Sequence, residues 1–219
     1  MTKVKICGLR DLENTKVAVE AGADLIGAVF VEGVRRNVSL TEAEQLFSVL
    51  KFSDNVIAPK SVGLFANQSL EFVNKTVEIL ALDYVQLCGS ETLEYCSHVD
   101  AEVIKQYKIK IQSDFANTRK RIIGDLEQIH NAGHLPLLDR FEQGSLGGTG
   151  KTFDWSLVHG IAEELDFMLA GGLTPANVGS AINSVSPWGV DVSSGVETDL
   201  AKDPQKITDF IAKVHLASY

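Results

Sequence analysis

The chain has 219 residues, 45% of them hydrophobic and 22% charged, with 18 Gly and only 5 Pro. That composition supports one sizeable core and excludes a disordered or collagen-like chain. Twenty Lys and Arg against twenty-nine Asp and Glu give a formal net charge of −9, which excludes nucleic-acid binding through the bulk field. Apolar runs such as 25–31 and 167–170 fall far short of the ~20 residues that span a bilayer. The opening Met1-Thr2-Lys3-Val4-Lys5 reads as running into a strand rather than as a targeting leader. Three widely spaced cysteines, Cys7, Cys88 and Cys96, fit a reducing compartment, so a cytoplasmic location is expected, with no membrane partner.

Along the chain, short apolar runs alternate with segments of helical period. The runs are residues 4–7, 24–30, 62–65, 84–87, 102–106, 135–139, 167–170 and 189–192. Several are continuously apolar, as in Leu25-Ile26-Gly27-Ala28-Val29-Phe30, which suits parallel strands covered on both faces. Between them, Thr41-x-x-Glu44 reads as a capping box leading into Ala43, Leu46, Phe47 and Leu50. Leu70, Val73, Val77 and Leu80 form a second apolar stripe. Residues 108–111 read as strand and 119–132 as helix. Phe153-Asp154-Trp155 reads as a helix start, and Thr174-Pro175 and Asp203-Pro204 as N-cap and first helical residue. Eight strands alternating with about eight helices predict an α/β fold, a (β/α)8 barrel forming a single domain over residues 1–219. A doubly wound open sheet is the alternative.

In such a barrel, function collects where strands end. Cys7 ends the first predicted strand, Asp139 the sixth, and Asp191-Val192-Ser193-Ser194-Gly195 the eighth, while Gly171-Gly172 follows the seventh. Strand alternation puts Lys5 on the same side as Cys7 but deeper. A buried Lys needs a partner, and Asp191 is the expected one. The small-residue turns at Gly171, Gly172, Ser193, Ser194 and Gly195 expose backbone N–H groups suited to a phosphate. Gly150-Lys151-Thr152 does not make a nucleotide loop, because the required earlier glycine falls at Ser145. Residues 147–152 read instead as a flexible cover for the site. Cys88, Cys96 and His98 lack the spacing of a zinc site, so no metal is expected.

Taken in order, several blocks resemble phosphoribosylanthranilate isomerases of tryptophan biosynthesis. They are Lys3-Val4-Lys5-Ile6-Cys7-Gly8-Leu9, Glu20-Ala21-Gly22-Ala23-Asp24, Arg35-Arg36-Asn37-Val38-Ser39, Val62-Gly63-Leu64-Phe65, Val85-Gln86-Leu87 and Leu137-Leu138-Asp139. Gly147-Gly148-Thr149-Gly150-Lys151-Thr152-Phe153-Asp154-Trp155 follows, then Leu169-Ala170-Gly171-Gly172-Leu173 and Asp191-Val192-Ser193-Ser194-Gly195-Val196-Glu197. The resemblance implies a (β/α)8 barrel that performs an Amadori rearrangement of N-(5′-phosphoribosyl)anthranilate, an aldose–ketose isomerisation, without metal or organic cofactor. It implies Cys7 as general base, Asp139 as general acid and Arg36 (rather than Arg35) as the partner of the anthranilate carboxylate. The family includes monomers and homodimers. Two departures from its pattern stand out: Cys88 where the family usually has His, and Glu32-Gly33-Val34 where Lys-Ser-Pro is usual.

The chemistry sets its own demands. Opening the ribose ring needs an acid that still holds a proton near neutral pH, so Asp139 needs a pKa well above the ordinary ≈ 3.9. Removing the C2 proton of the opened imine needs a base, and a cysteine thiolate beside positive charge serves.

Overall fold

The computed structural model describes residues 1–51, 58–109, 114–140 and 153–218. Eight parallel strands close into a barrel in chain order. They are β1 (Lys3–Cys7), β2 (Leu25–Val29), β3 (Lys60–Phe65), β4 (Tyr84–Leu87), β5 (Glu102–Ile109), β6 (Leu135–Arg140), β7 (Met168–Leu169) and β8 (Gly189–Val192). Each of the eight predicted runs supplies one of them. Closure is set by β1 lying between β2 and β8, with Lys5 paired in register to Leu25 on one side and to Asp191 on the other.

The helices are α1 (Leu12–Glu20), α2 (Leu40–Ser48), α3 (Leu70–Leu80), α4 (Leu93–Cys96), α5 (Phe115–Asn131), α6 (Val178–Val185) and α7 (Pro204–Ala217). Their apolar faces pack on the outside of the barrel. In α3 the predicted stripe puts Val73 and Val77 inward, each burial stabilising by about 1.5–3 kcal/mol. A two-stranded ribbon, β9 (Glu197–Thr198) and β10 (Ala201–Lys202), sits between β8 and α7.

Four local expectations are corrected. The capping box of α2 is Ser39 with Glu42, two residues before the predicted pair. Ser39 Oγ accepts from the Glu42 N–H, and the Glu42 carboxylate accepts from the Ser39 N–H at 2.7 Å. Thr174-Pro175 opens a turn, and α6 starts at Val178 after the Thr174 carbonyl accepts from the Asn177 and Val178 N–H groups. α5 begins at Phe115 with Asp114 as its cap, four residues earlier than predicted. After Asp154 the chain forms 3-10 turns, Trp155–Val158 and Ile161–Glu163, where an α-helix was expected. Asp203-Pro204 does cap and open α7, the Asp203 carboxylate accepting from Gln205 and Lys206. The predicted strand over 108–111 holds as far as Ile109; residues 110 and 111 lie outside the described residues, as do 147–152.

Among the described residues two apolar cores result. The larger lies between barrel and helices. The smaller fills the lower half of the barrel with Leu25, Val62, Ile104, Leu137, Met168 and Ala170, packed against Tyr84, Leu135 and Trp188. Successive strand residues point to opposite faces. The same inward parity therefore carries Lys5 and Cys7, Gln86, Gln106, Asp139 and Asp191 into the barrel above that plug. Among the described residues no helix is long and apolar enough to cross a membrane.

Candidate active site

At the carboxyl ends of the strands the barrel opens into a cavity of about 180 Å³. Cys7, Gln86, Cys88, Gln106, Asp139 and Asp191 line it, with Arg35, Arg36 and Ser193 among its further walls. Residues 7, 36, 139, 191 and 193, predicted from distant parts of the sequence, thus share one space.

Lys5 is 0% exposed and its ammonium donates to Asp191 Oδ1 at 2.9 Å. The expected pair is therefore present. Burial alone would pull the Lys5 pKa down, but the charge of Asp191 and the neighbouring Cys7 outweigh it, and the net direction is upward. Lys5 stays charged beneath Cys7. Gly27, opposite Cys7 on β2, makes the room: a Cβ there would lie 3.2 Å from Lys5 Nζ and 3.3 Å from Cys7 Sγ.

Asp139 faces this pair from β6. Its Oδ1 accepts from the Arg140 N–H at 2.7 Å and its Oδ2 from Gln106 Nε2 at 2.7 Å. Burial pushes its carboxyl up, the Arg140 N–H pulls it down, the charge of Asp191 adds to the rise, and the result is about 6. That meets the demand for an acid partly protonated near neutral pH. Gly171 lies against it with φ of +84°, and a Cβ there would approach Asp139 Oδ1 to 2.8 Å.

The turns after β7 and β8 adjoin one another. A Cβ at Gly195 would come within 1.8 Å of the Leu173 carbonyl oxygen, so only glycine lets the two turns meet. Gly172 has φ of +70°, and its carbonyl accepts from Asn177 Nδ2 at 2.9 Å. Ser193 lines the cavity, and Ser194 begins a 3-10 turn, Ser194–Val196.

Arg36 reaches the cavity in the grip of Glu197. Its Nε donates to Oε1 at 2.7 Å and its Nη2 to Oε2 at 3.1 Å. Arg35 Nη2 also donates to Glu197 Oε2 at 2.7 Å. Burial works to raise the Glu197 pKa, but the Arg36 hydrogen bond and the Lys202 charge prevail and hold it near 2. Lys202 donates to the Ser193 carbonyl at 2.7 Å and lies 3.4 Å from Glu197. Burial pulls its ammonium down to about 8, against the charge of Glu197. Sequence reasoning named neither Glu197 nor Lys202 as site residues; they lie in the segment after β8, and their partners are up to 162 residues away. Gln86 and Gln106 were also missed, although inward parity on β4 and β5 would have found them.

Cys88 donates nothing comparable to a histidine. Gln86 Nε2 approaches its Sγ at 3.3 Å, and burial pushes the thiol up to about 12, so it stays neutral. All three cysteines are free, and no group of three or more His, Cys, Asp or Glu among the described residues forms a metal cluster.

Residues 4–213 match the family model of N-(5′phosphoribosyl)anthranilate (PRA) isomerase. The chain belongs to the PRA isomerase family. It is therefore an enzyme of the isomerase class. An N-(5′-phosphoribosyl)anthranilate isomerase of Geotalea uraniireducens is 42% identical over 214 residues, 97% of this chain and 98% of that relative. The solved phosphoribosyl anthranilate isomerase of Thermotoga maritima superposes with a TM-score of 0.83 at 34% identity, covering 98% of this chain and 99% of its own. A further solved PRA isomerase, in complex with reduced 1-(o-carboxyphenylamino)-1-deoxyribulose 5-phosphate, gives a TM-score of 0.79 at 32% identity with coverage of 98% and 99%.

Proposed function

We propose that this chain isomerises N-(5′-phosphoribosyl)anthranilate to 1-(2-carboxyphenylamino)-1-deoxyribulose 5-phosphate in tryptophan biosynthesis. The observation that carries the reading is the shared cavity of Cys7 and Asp139, with an acid raised to about 6 on one wall and a thiol beside a buried ammonium on the other. The match to the family and its relatives supports it.

The proton bookkeeping closes without a co-reactant. Asp139 gives its proton to the ring oxygen. The C1–O bond breaks as the anthranilate nitrogen lone pair forms C1=N⁺. Cys7 takes the proton from C2, and that electron pair moves through C1 to nitrogen, giving an enaminol. C1 then gains a proton and the C2 hydroxyl loses one, leaving the ketone. The iminium accepts the electrons, so the step needs no metal or cofactor.

The substrate's two anionic ends belong at the rim. Arg36, held through Nε and Nη2 by Glu197, offers its remaining nitrogen to the anthranilate carboxylate. The turns bearing Gly171, Gly172, Ser193, Ser194 and Gly195 offer backbone N–H groups to the phosphate. Asp191 borders the reacting carbons while it holds Lys5.

The test is loss of anthranilate-type fluorescence on freshly prepared phosphoribosylanthranilate, with the ketose product identified by mass and NMR. Turnover by wild type with near-silence in Cys7→Ala is expected. A wild-type protein that binds substrate without turnover would leave only a phosphometabolite-binding barrel.

A further inference from the structure

Among the described residues, five buried side-chain atoms have no hydrogen-bond partner: Asn14 Oδ1, Gln86 Oε1, Gln106 Oε1, His134 Nε2 and Trp155 Nε1. Only the two glutamine carbonyls belong to residues lining the cavity at the barrel mouth. Gln86 is 2% and Gln106 9% exposed, so the bulk of each side chain is cut off from water. Buried acceptors are ordinarily paired, and an unpaired one in a binding cavity marks a place where a ligand brings the donor.

The orientation of Gln106 follows from its neighbour. The amino end of Gln106 donates to Asp139 Oδ2 at 2.7 Å, so its carbonyl faces away from that carboxyl. Gln86 uses its amino end on Cys88 Sγ at 3.3 Å, again leaving the carbonyl free. The register sets the two on adjacent strands: Gln86 pairs with Ile104, two residues below Gln106. With Asp139 and Asp191, the wall formed by the inward strand positions presents four oxygen acceptor groups, while the donors Arg35, Arg36 and Ser193 line the cavity from the loops beyond β2 and β8. Its deepest cation, Lys5, is already bound to Asp191. A phosphate or carboxylate entering here meets acceptors facing acceptors. A carbon chain bearing hydroxyls brings the donors this wall lacks.

We propose that the carbonyls of Gln106 and Gln86 accept hydrogen bonds from the hydroxyls of the substrate's sugar portion, and so fix which carbon lies between Cys7 and Asp139. This rests on the phosphoribosyl reading above and extends it. The two glutamines are specificity-determining residues: they hold the polyhydroxylated middle of the substrate on the floor and leave its anionic ends for the rim. Sites built to hydrogen-bond a hydroxyl reject analogues lacking it, because their own polar groups are then left unpaired.

The experiment is a binding cycle with two probes. One is reduced 1-(o-carboxyphenylamino)-1-deoxyribulose 5-phosphate. The other keeps the carboxyphenylamino group, five-carbon chain and phosphate but has no hydroxyls. Each is titrated against wild type, Gln106→Met, Gln86→Met and Gln106→Asn, the last keeping the amide but withdrawing it by one methylene. Wild type should prefer the hydroxylated probe at least tenfold. Each Met variant should weaken that probe about tenfold and change the hydroxyl-free probe less than twofold, and Gln106→Asn should show the same selective loss. Equal loss for both probes, or none for either, would overturn the proposal. Should a Met variant fail to fold, wild-type indifference to the hydroxyls would overturn it equally well. Failure of wild type to bind either probe would instead overturn the phosphoribosyl reading itself.

Discussion

The lower and upper halves of the barrel interior are built on the same eight strands and the same alternation, yet they are filled in opposite ways. Below, Leu25, Val62, Ile104, Leu137, Met168 and Ala170 make an apolar plug. Above, the inward positions carry Lys5, Gln86, Gln106, Asp139 and Asp191, all buried. Burying charge and unpaired amide carbonyls is unfavourable for folding. The lower half answers to packing and the upper half to chemistry. The upper half is tolerated because Lys5 is paired with Asp191, because Asp139 accepts from the Arg140 N–H and from Gln106, and because it stands on the plug beneath.

That contrast can be broken most severely at the buried ion pair. Lys5→Met leaves Asp191 without its partner and should lower stability by about 3–5 kcal/mol, the usual cost of stranding one charge of a buried pair. Replacing both, as Lys5→Met with Asp191→Leu, should recover most of that loss in chemical denaturation while activity stays low. In the lower half, Met168→Ala should cost about 2–5 kcal/mol through the cavity it leaves. The kcat of the molecules that remain folded should be close to wild type, as read from activity per folded molecule. At the rim, Arg36→Ala should raise KM on the order of tenfold, about 1.4 kcal/mol, and lower kcat less. An unchanged KM in steady-state kinetics would remove Arg36 from the substrate contacts.

The sequence made the barrel legible because its strands are covered on both faces and appear as unbroken apolar runs, as at 25–30. Local signals failed where two registers satisfied the same pattern. Both Thr41-x-x-Glu44 and Ser39-Leu40-Thr41-Glu42 read as capping boxes. The second is used because Val38, whose N–H bonds the Val29 carbonyl, fixes where the chain leaves β2. Of the site, Cys7, Asp139, Asp191 and Ser193 could be placed at one mouth from strand ends alone. Glu197 and Lys202 could not. Their roles depend on Arg35, Arg36 and Ser193, which only the closed fold brings to them. Gln106 carried a usable signal, its inward parity on β5, but a glutamine in a strand has no chemistry of its own until Asp139 stands beside it.

Asp139 is where the two halves' demands conflict most directly. Its carboxyl is raised from the ordinary 3.8 to about 6. Between those values the folded protein binds more protons than the unfolded chain, so stability falls as pH rises through this window. Above it a penalty remains, roughly 3 kcal/mol at 1.36 kcal/mol per tenfold. An asparagine cannot ionise, and Gln106 can turn its free carbonyl toward the new amide. The decisive measurement is therefore kcat and Tm of Asp139→Asn beside wild type at pH 8. The account predicts a kcat lower by at least 100-fold, in the range of a lost general acid, together with a Tm higher by several degrees. Retained turnover, or a variant that melts below wild type, would contradict it.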